Sequence, residues 1–182
     1  MKLSILISTF LFFFTQSNQD AVYTYVSENG NVELVFDLAL GAMNAQTDKA
    51  QSGLDIKSDE VDFVIKVNSF RFSNPILEQQ FKHVYMESDK YPETVFNGQI
   101  KGGINFKSTA PQNVKVNGVL DMHGVKKAKI IPAVITVKND QIHVVTDFVI
   151  KASEHNIDIP TSFFNNGKDE IKVNMNVTYK KK

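Results

Sequence analysis

Apolar and polar side chains alternate at a period of two along most of the chain. Val32, Leu34, Phe36 and Leu38 interleave with Glu33 and Asp37, and Val61, Phe63, Ile65 and Val67 interleave with Asp62 and Lys66. Farther on, Ile142, Val144, Thr146, Phe148 and Ile150 share one side of a run, and Ile171, Val173, Met175, Val177 and Tyr179 face away from Lys172, Asn174, Asn176 and Thr178. An extended chain sends successive side chains to opposite faces, so each run is a strand with one dry face. Further strands are predicted over residues 22–26, 45–57, 94–107 with a bend at Gly102-Gly103, 113–121 and 128–138. Turn signals at Glu28-Asn29-Gly30-Asn31 and Lys138-Asn139-Asp140 separate neighbouring runs and imply an antiparallel meander.

One segment has a helical period. Asn74-Pro75 supplies a cap and a proline at the first helical position, and Leu77, Phe81, Val84 and Tyr85 follow at spacings of four, three and one. A helix is predicted over residues 75–86. It ends before Asp89-Lys90-Tyr91-Pro92, because the residue preceding proline is pushed out of helical geometry. The fold class is therefore all-β, with about eight antiparallel strands and one inserted helix. A single apolar face can be dried by stacking two sheets or by closing a barrel, and the periodicity leaves both open.

The first seventeen residues read differently. Lys2 precedes an apolar run from Leu3 to Phe14, followed by Thr15, Gln16 and Ser17, which is the layout of a secretory signal peptide. The run falls short of the roughly 20 residues that a spanning helix needs. Residues 1–17 are thus read as a cleaved leader, and 18–182 as one domain that is periplasmic or secreted and has no stable transmembrane anchor.

Composition narrows the chemistry. The 182 residues carry 20 basic and 20 acidic side chains and no cysteine. Zero net charge gives no electrostatic footprint for nucleic acid, and the missing thiols exclude disulfides, thiolate metal sites and a cysteine nucleophile. Nineteen lysines stand beside one arginine, Arg71, so bidentate phosphate clamps are scarcely buildable. His83, His123, His143 and His155 show no metal-ligand spacing, and phosphate-loop, dinucleotide and nucleophile-elbow motifs are absent. No metal or catalytic residue is assigned, and the protein is read as no enzyme. Phe36, Phe63, Phe81, Phe96, Phe106, Phe148, Phe163 and Phe164 could fill a core or line a cavity.

Three ordered blocks choose between these. Asn74-Pro75-Ile76-Leu77-Glu78-Gln79-Gln80-Phe81 runs into Tyr85-Met86-Glu87-Ser88-Asp89-Lys90-Tyr91-Pro92-Glu93-Thr94-Val95-Phe96. Gly118-Val119-Leu120-Asp121-Met122-His123-Gly124-Val125 and the stretch from Phe148 through Glu154-His155-Asn156-Ile157 to Pro160 follow in order. Together they resemble the YceI-like family, with His-Asn-Ile replacing a commoner Asp-Tyr/Phe-Gly-Ile. The polar stretch 40–53 and the loosely patterned 103–111 depart from that likeness.

The resemblance implies a single lipocalin-like antiparallel β-barrel whose lumen holds a polyisoprenoid or similar amphiphile, and so an exported protein that sequesters or carries lipid. Its lumen would be lined by Phe36, Phe63, Ile65, Leu77, Phe81, Tyr85, Phe96, Ile100, Leu120, Val144, Phe148, Ile150, Val173 and Met175. Tyr91, Pro92, His123, Gly124, His155 and Pro160 fall in the motifs and are expected to hold turns. No cofactor is implied beyond a bound polyisoprenoid or quinone-like lipid. The alternatives are a structural or interaction barrel with a filled core, or a lipid-acting enzyme using His123 or His155. The sequence is compatible with a homodimer and does not decide oligomeric state.

Overall fold

The computed structural model describes residues 23–39 and 41–182. The leader read over residues 1–17 lies outside them. Nine strands form one antiparallel sheet: β1 (Tyr25–Leu38), β2 (Gly41–Asp55), β3 (Glu60–Lys66), β4 (Arg71–Phe72), β5 (Glu93–Lys101), β6 (Gln112–Met122), β7 (Val125–Lys138), β8 (Gln141–Lys151) and β9 (Glu170–Lys181). β1 pairs with β9 on one side and β2 on the other, which closes eight strands into a barrel and leaves the two-residue β4 as an appendage on β2. Closure removes the free edges and decides for the barrel over the sandwich. No helix among the described residues is long and apolar enough to cross a membrane.

Most predicted strands recur, with three differences, the first being that the strand expected over residues 94–107 ends at Lys101, because Gly102 and Gly103 both take positive φ and turn the chain out of the ladder. The turn expected at Glu28–Asn31 is a bulge inside β1: the register with β2 slips between Ser27 and Val32, and that with β9 slips between Val26 and Asn31. Asn-Gly has local turn chemistry, but Val26 and Val32 pair with the same two neighbours, and ladder pairing on both sides outweighs it. The polar stretch after Leu38 is the long strand β2, whose small inward residues Ala45 and Ala50 are fully buried. The expected turn at Asn139-Asp140 is present, with φ of 52° and 57°, as befits a two-residue hairpin loop.

Two glycines set the shape of the inner wall. Gly98 of β5 and Gly118 of β6 face each other across the ladder, and the Phe96 ring lies over both. A Cβ on Gly118 would sit 2.3 Å from the Asn97 carbonyl oxygen and 2.6 Å from Phe96 Cζ. Real Cβ atoms do not approach backbone so closely, so the ring can fold down onto the wall only where both side chains are absent.

The ladder between β7 and β8 is incomplete. It runs from Val134↔Val145 to Lys138↔Gln141 and stops at Pro132, which has no N–H to donate. Beyond it the two strands diverge and only side chains cross. Thr146 Oγ1 donates to the Pro132 carbonyl at 2.5 Å, and Lys129 Nζ donates to the Val149 carbonyl at 2.6 Å.

A cover crosses the end of the barrel toward which this seam opens. Helix α1 (Pro75–Gln79) continues as a π-helical turn over Gln80–Tyr85. Asn74 Oδ1 accepts from the Ile76 and Leu77 amides. Glu78 accepts from Lys82 Nζ at 2.6 Å and from the Phe72 amide at 3.0 Å, tying the first turn to β4. Lys82 holds its carboxyl below the usual range. The wider π turn carries Val84 out to solvent and keeps Phe81 and Tyr85 facing in. Phe81 packs against Phe36, Phe70 and Phe72 with ring centroids 5.0–6.3 Å apart.

The same end is fixed by two buried histidines. Around the β6–β7 turn, where His123 and Gly124 both have positive φ, His123 Nε2 meets Glu87 at 2.9 Å and Nδ1 meets the His155 carbonyl at 3.1 Å. Tyr91 packs edge-on to the His123 ring at 4.4 Å, against Gly124. His155, 2% exposed within the 3-10 turn Ala152–His155, donates from Nδ1 to the Val125 carbonyl. The Pro92 carbonyl accepts from the Val67 amide, and the Pro160 carbonyl accepts from the Phe163 amide.

Two outcomes are expected. Gly118→Ala lowers the unfolding free energy by about 1–3 kcal/mol, read from the urea midpoint. Burial pushes the His155 imidazole below its ordinary value, so the unfolded chain binds the extra proton first as pH falls. Stability should therefore decline as pH drops below about 6.5, with a slope of at most about 1.4 kcal/mol per pH unit for this group. His155→Gln should flatten that slope in urea titrations between neutral and mildly acid pH. The lowered carboxylates Asp55, Glu78 and Asp169 act in a separate window, below about pH 4.5.

Candidate functional site

The inward faces of the closed strands enclose a continuous apolar lumen. The cavity has a volume of about 140 Å³, and its wall is built almost entirely of apolar side chains.

Twelve of the fourteen side chains predicted for the lumen line it: Phe36, Phe63, Ile65, Phe81, Tyr85, Phe96, Leu120, Val144, Phe148, Ile150, Val173 and Met175. Ile100 is buried but lies outside it. It shares the face of Phe96, yet the Phe96 ring folded over Gly98 fills the space between Ile100 and the lumen. Leu77 is half-buried on the cover and does not reach the cavity, because only the second half of the helix projects inward. Among the other linings, Leu34 and Ile171 belong to alternating runs described above, Val116 is in phase with Leu120 on β6, and Ile131 lies on β7, where adjacent Ile130 and Ile131 leave the phase unmarked. Phe70, Met86, Ile157 and Ile159 come from turns and loops, where no periodicity marks them.

Four hydroxyl-bearing side chains line the lumen, Tyr85, Thr94, Thr146 and Tyr179, and two of them are bonded to the protein. Ser52 Oγ donates to the Asp62 carbonyl at 2.7 Å, which leaves it to accept from the Tyr179 hydroxyl at 2.6 Å. Burial pushes Tyr179 up to about 12, so the phenol stays protonated and keeps its proton in that chain. Thr146 is committed to Pro132, as described. A ligand inside would therefore meet mostly methyl groups and ring edges, with the Thr94 and Tyr85 hydroxyls as the wall's uncommitted polar groups, and affinity would rest chiefly on apolar burial.

The remaining motif residues stand outside the lumen. His123, Gly124, Tyr91, Pro92, His155 and Pro160 are absent from its lining, and both ring nitrogens of His123 are engaged with acceptors. His83 and His143 are farther still: His83 is exposed near Asp89, and His143 bonds Thr178 on the outer face. No cluster of three metal-ligating side chains occurs among the described residues. At the far end, Tyr25 and Phe106 stack at 6.1 Å beside the barrel floor.

Known proteins share this architecture. A polyisoprenoid binding domain from Saccharophagus degradans implicated in plant cell wall breakdown superposes with a TM-score of 0.74 at 14% identity, covering 88% of this chain and 100% of that one. BcnA from Burkholderia cenocepacia gives 0.68 at 18% identity, covering 82% and 95%. The Campylobacter jejuni YCEI protein gives 0.57 at 20% identity over the full length of both. At such identities these likenesses establish the fold. Among curated proteins no sequence match is found. The YceI-like domain matches residues 17–179, nearly the whole chain, and this protein therefore belongs to the YceI-like family.

Proposed function

We propose that the protein binds a polyisoprenoid, or an amphiphile with a similarly long apolar tail, within the barrel lumen, and sequesters or carries it through an aqueous compartment outside the cytoplasm. The observation that carries this reading is the chemistry of the void: a closed barrel whose inner wall is built almost entirely of apolar side chains. Each methylene that leaves water contributes about 0.8 kcal/mol, so a chain of several isoprene units reaches high affinity without a polar contact. A related fold described as a polyisoprenoid binding domain supports the choice of ligand. The leader pattern of residues 1–17 supports export.

The histidines act structurally in this account. Each holds a carbonyl or carboxylate at the covered end, and neither His123 nor His155 lines the lumen. The cover helix gives the ligand's exit a definite obstacle, because Phe81 lines the lumen and is packed by three other rings.

The test is chemical. Organic extracts of the purified protein should contain a stoichiometric isoprenoid or long-chain lipid by mass spectrometry. Ala133 lines the lumen, and Ala133→Phe should displace about two methylene equivalents and cut the retained lipid roughly tenfold. Absence of lipid from the wild-type extract, together with no uptake of an isoprenoid quinone, would refute the proposal.

A further inference from the structure

The molecule is neutral overall but its charge is divided. From Tyr25 to Lys66, the span of β1 to β3, eight carboxylates stand against three lysines; from Gln112 to Lys182, the span of β6 to β9, eleven lysines stand against seven carboxylates. On the outside of the basic half lies an unusual row of apolar side chains. Val119 and Ala128 are cross-strand partners on β6 and β7, Ile130 and Val134 continue along β7, Val145 partners Val134 on β8, and Val149 follows. These are outward positions of the alternation, where solvent-facing strands normally carry polar groups, yet Ile130 is 61% exposed and Val145 50% exposed.

Lysines bracket the row. Lys115 of β6 lies opposite Pro132, Lys172 of β9 lies opposite Val149, and Lys126, Lys138 and Lys151 are exposed at its ends. Asp121 is paired with Lys126 at 3.8 Å, which leaves Asp147 as the carboxylate within the row. The row also straddles the β7–β8 seam. Directly behind that seam, Ile131, Phe148 and Ile150 line the lumen.

We propose that the outer face of β6 to β8 docks on an anionic lipid bilayer and sets the open β7–β8 seam against the membrane as the side door through which lipid passes. Apolar side chains framed by lysines match a surface with anionic headgroups over a hydrocarbon interior. A second copy of the chain fits poorly, since a two-fold contact through this face would bring its lysines onto their own equivalents. Ladder bonds are missing where a lipid would cross, and the crossing is spanned by Thr146 and the flexible Lys129, whose ammonium can move to the headgroups. The proposal deepens the lipid-carrier reading and rests on it for the purpose of the door, while the docking itself does not require lipid in the lumen.

Vesicle co-sedimentation tests it, with protein recovered from expression of the full chain and phosphatidylcholine vesicles with and without phosphatidylglycerol. Wild type should bind the anionic vesicles and lose binding at high salt. Ile130→Asp with Val145→Asp should weaken binding roughly tenfold or more, as the apolar burial is lost, with an unchanged far-ultraviolet spectrum. Ile76→Asp with Val84→Asp, which alters exposed apolar positions on the cover, should bind as wild type. Equal binding by the Ile130/Val145 variant, loss only in the Ile76/Val84 variant, or no wild-type binding overturns the proposal. So does a sedimenting dimer that the Ile130/Val145 variant dissociates. Lipid content is read separately from extracts, so an empty wild-type lumen would count against the carrier and not against docking.

Discussion

Everything about the lumen depends on β1 pairing to both β2 and β9. Without the second ladder the sheet would have two free edges and its apolar face would need another layer. With it, the inner face dries itself, and the β7–β8 ladder stops partway along its strands. The bulge near Gly30 lets one strand satisfy two neighbours whose registers do not agree, because the extra residues increase local twist where the barrel must turn. The paired glycines of β5 and β6 work to the same end on the opposite wall, giving the Phe96 ring a place to lie flat.

Closure produces a tunnel and leaves its chemistry to the side chains. Buried polar groups in such a wall cost free energy unless bonded, and the most deeply buried ones are: Tyr179 to Ser52, Ser52 to Asp62, Thr146 to Pro132. The result is a surface that is overwhelmingly apolar. At the covered end Glu78, Glu87, His123 and His155 tie helix, turn and loop to strand ends, and around the β2–β3 turn at the other end Asp55 and Asp62 accept from Thr24, Ser58, Tyr23 and Asn97.

Much of this was legible in the alternation of residues. In β1, β3, β5, β8 and β9 the apolar phase is the inward phase, because each strand has one wet face and one dry face. What the pattern could not show is non-local. A reading of Asn29-Gly30 in isolation finds a turn, and only two neighbouring strands make it a bulge. Ile100 has the phase of a lining residue but sits behind a ring whose position is set by glycines on two strands. Leu77 keeps helical spacing with Phe81 and still falls short of the lumen. Ile157 and Ile159 reach it from a loop that carries no period. One signal was available: Pro132 inside a strand pattern marks a place where a ladder cannot continue, and the seam begins there.

The central claim is that a flexible apolar chain lies along the inside of the barrel. Intermolecular nuclear Overhauser effects between an isoprenoid ligand and selectively labelled methyl groups measure that directly. The account predicts contacts to Ile131, Val144 and Val173, which line the lumen, and none to Val134 or Val145, which face outward. Contacts confined to the outward methyls, or none to the lumen set with ligand bound, would contradict it.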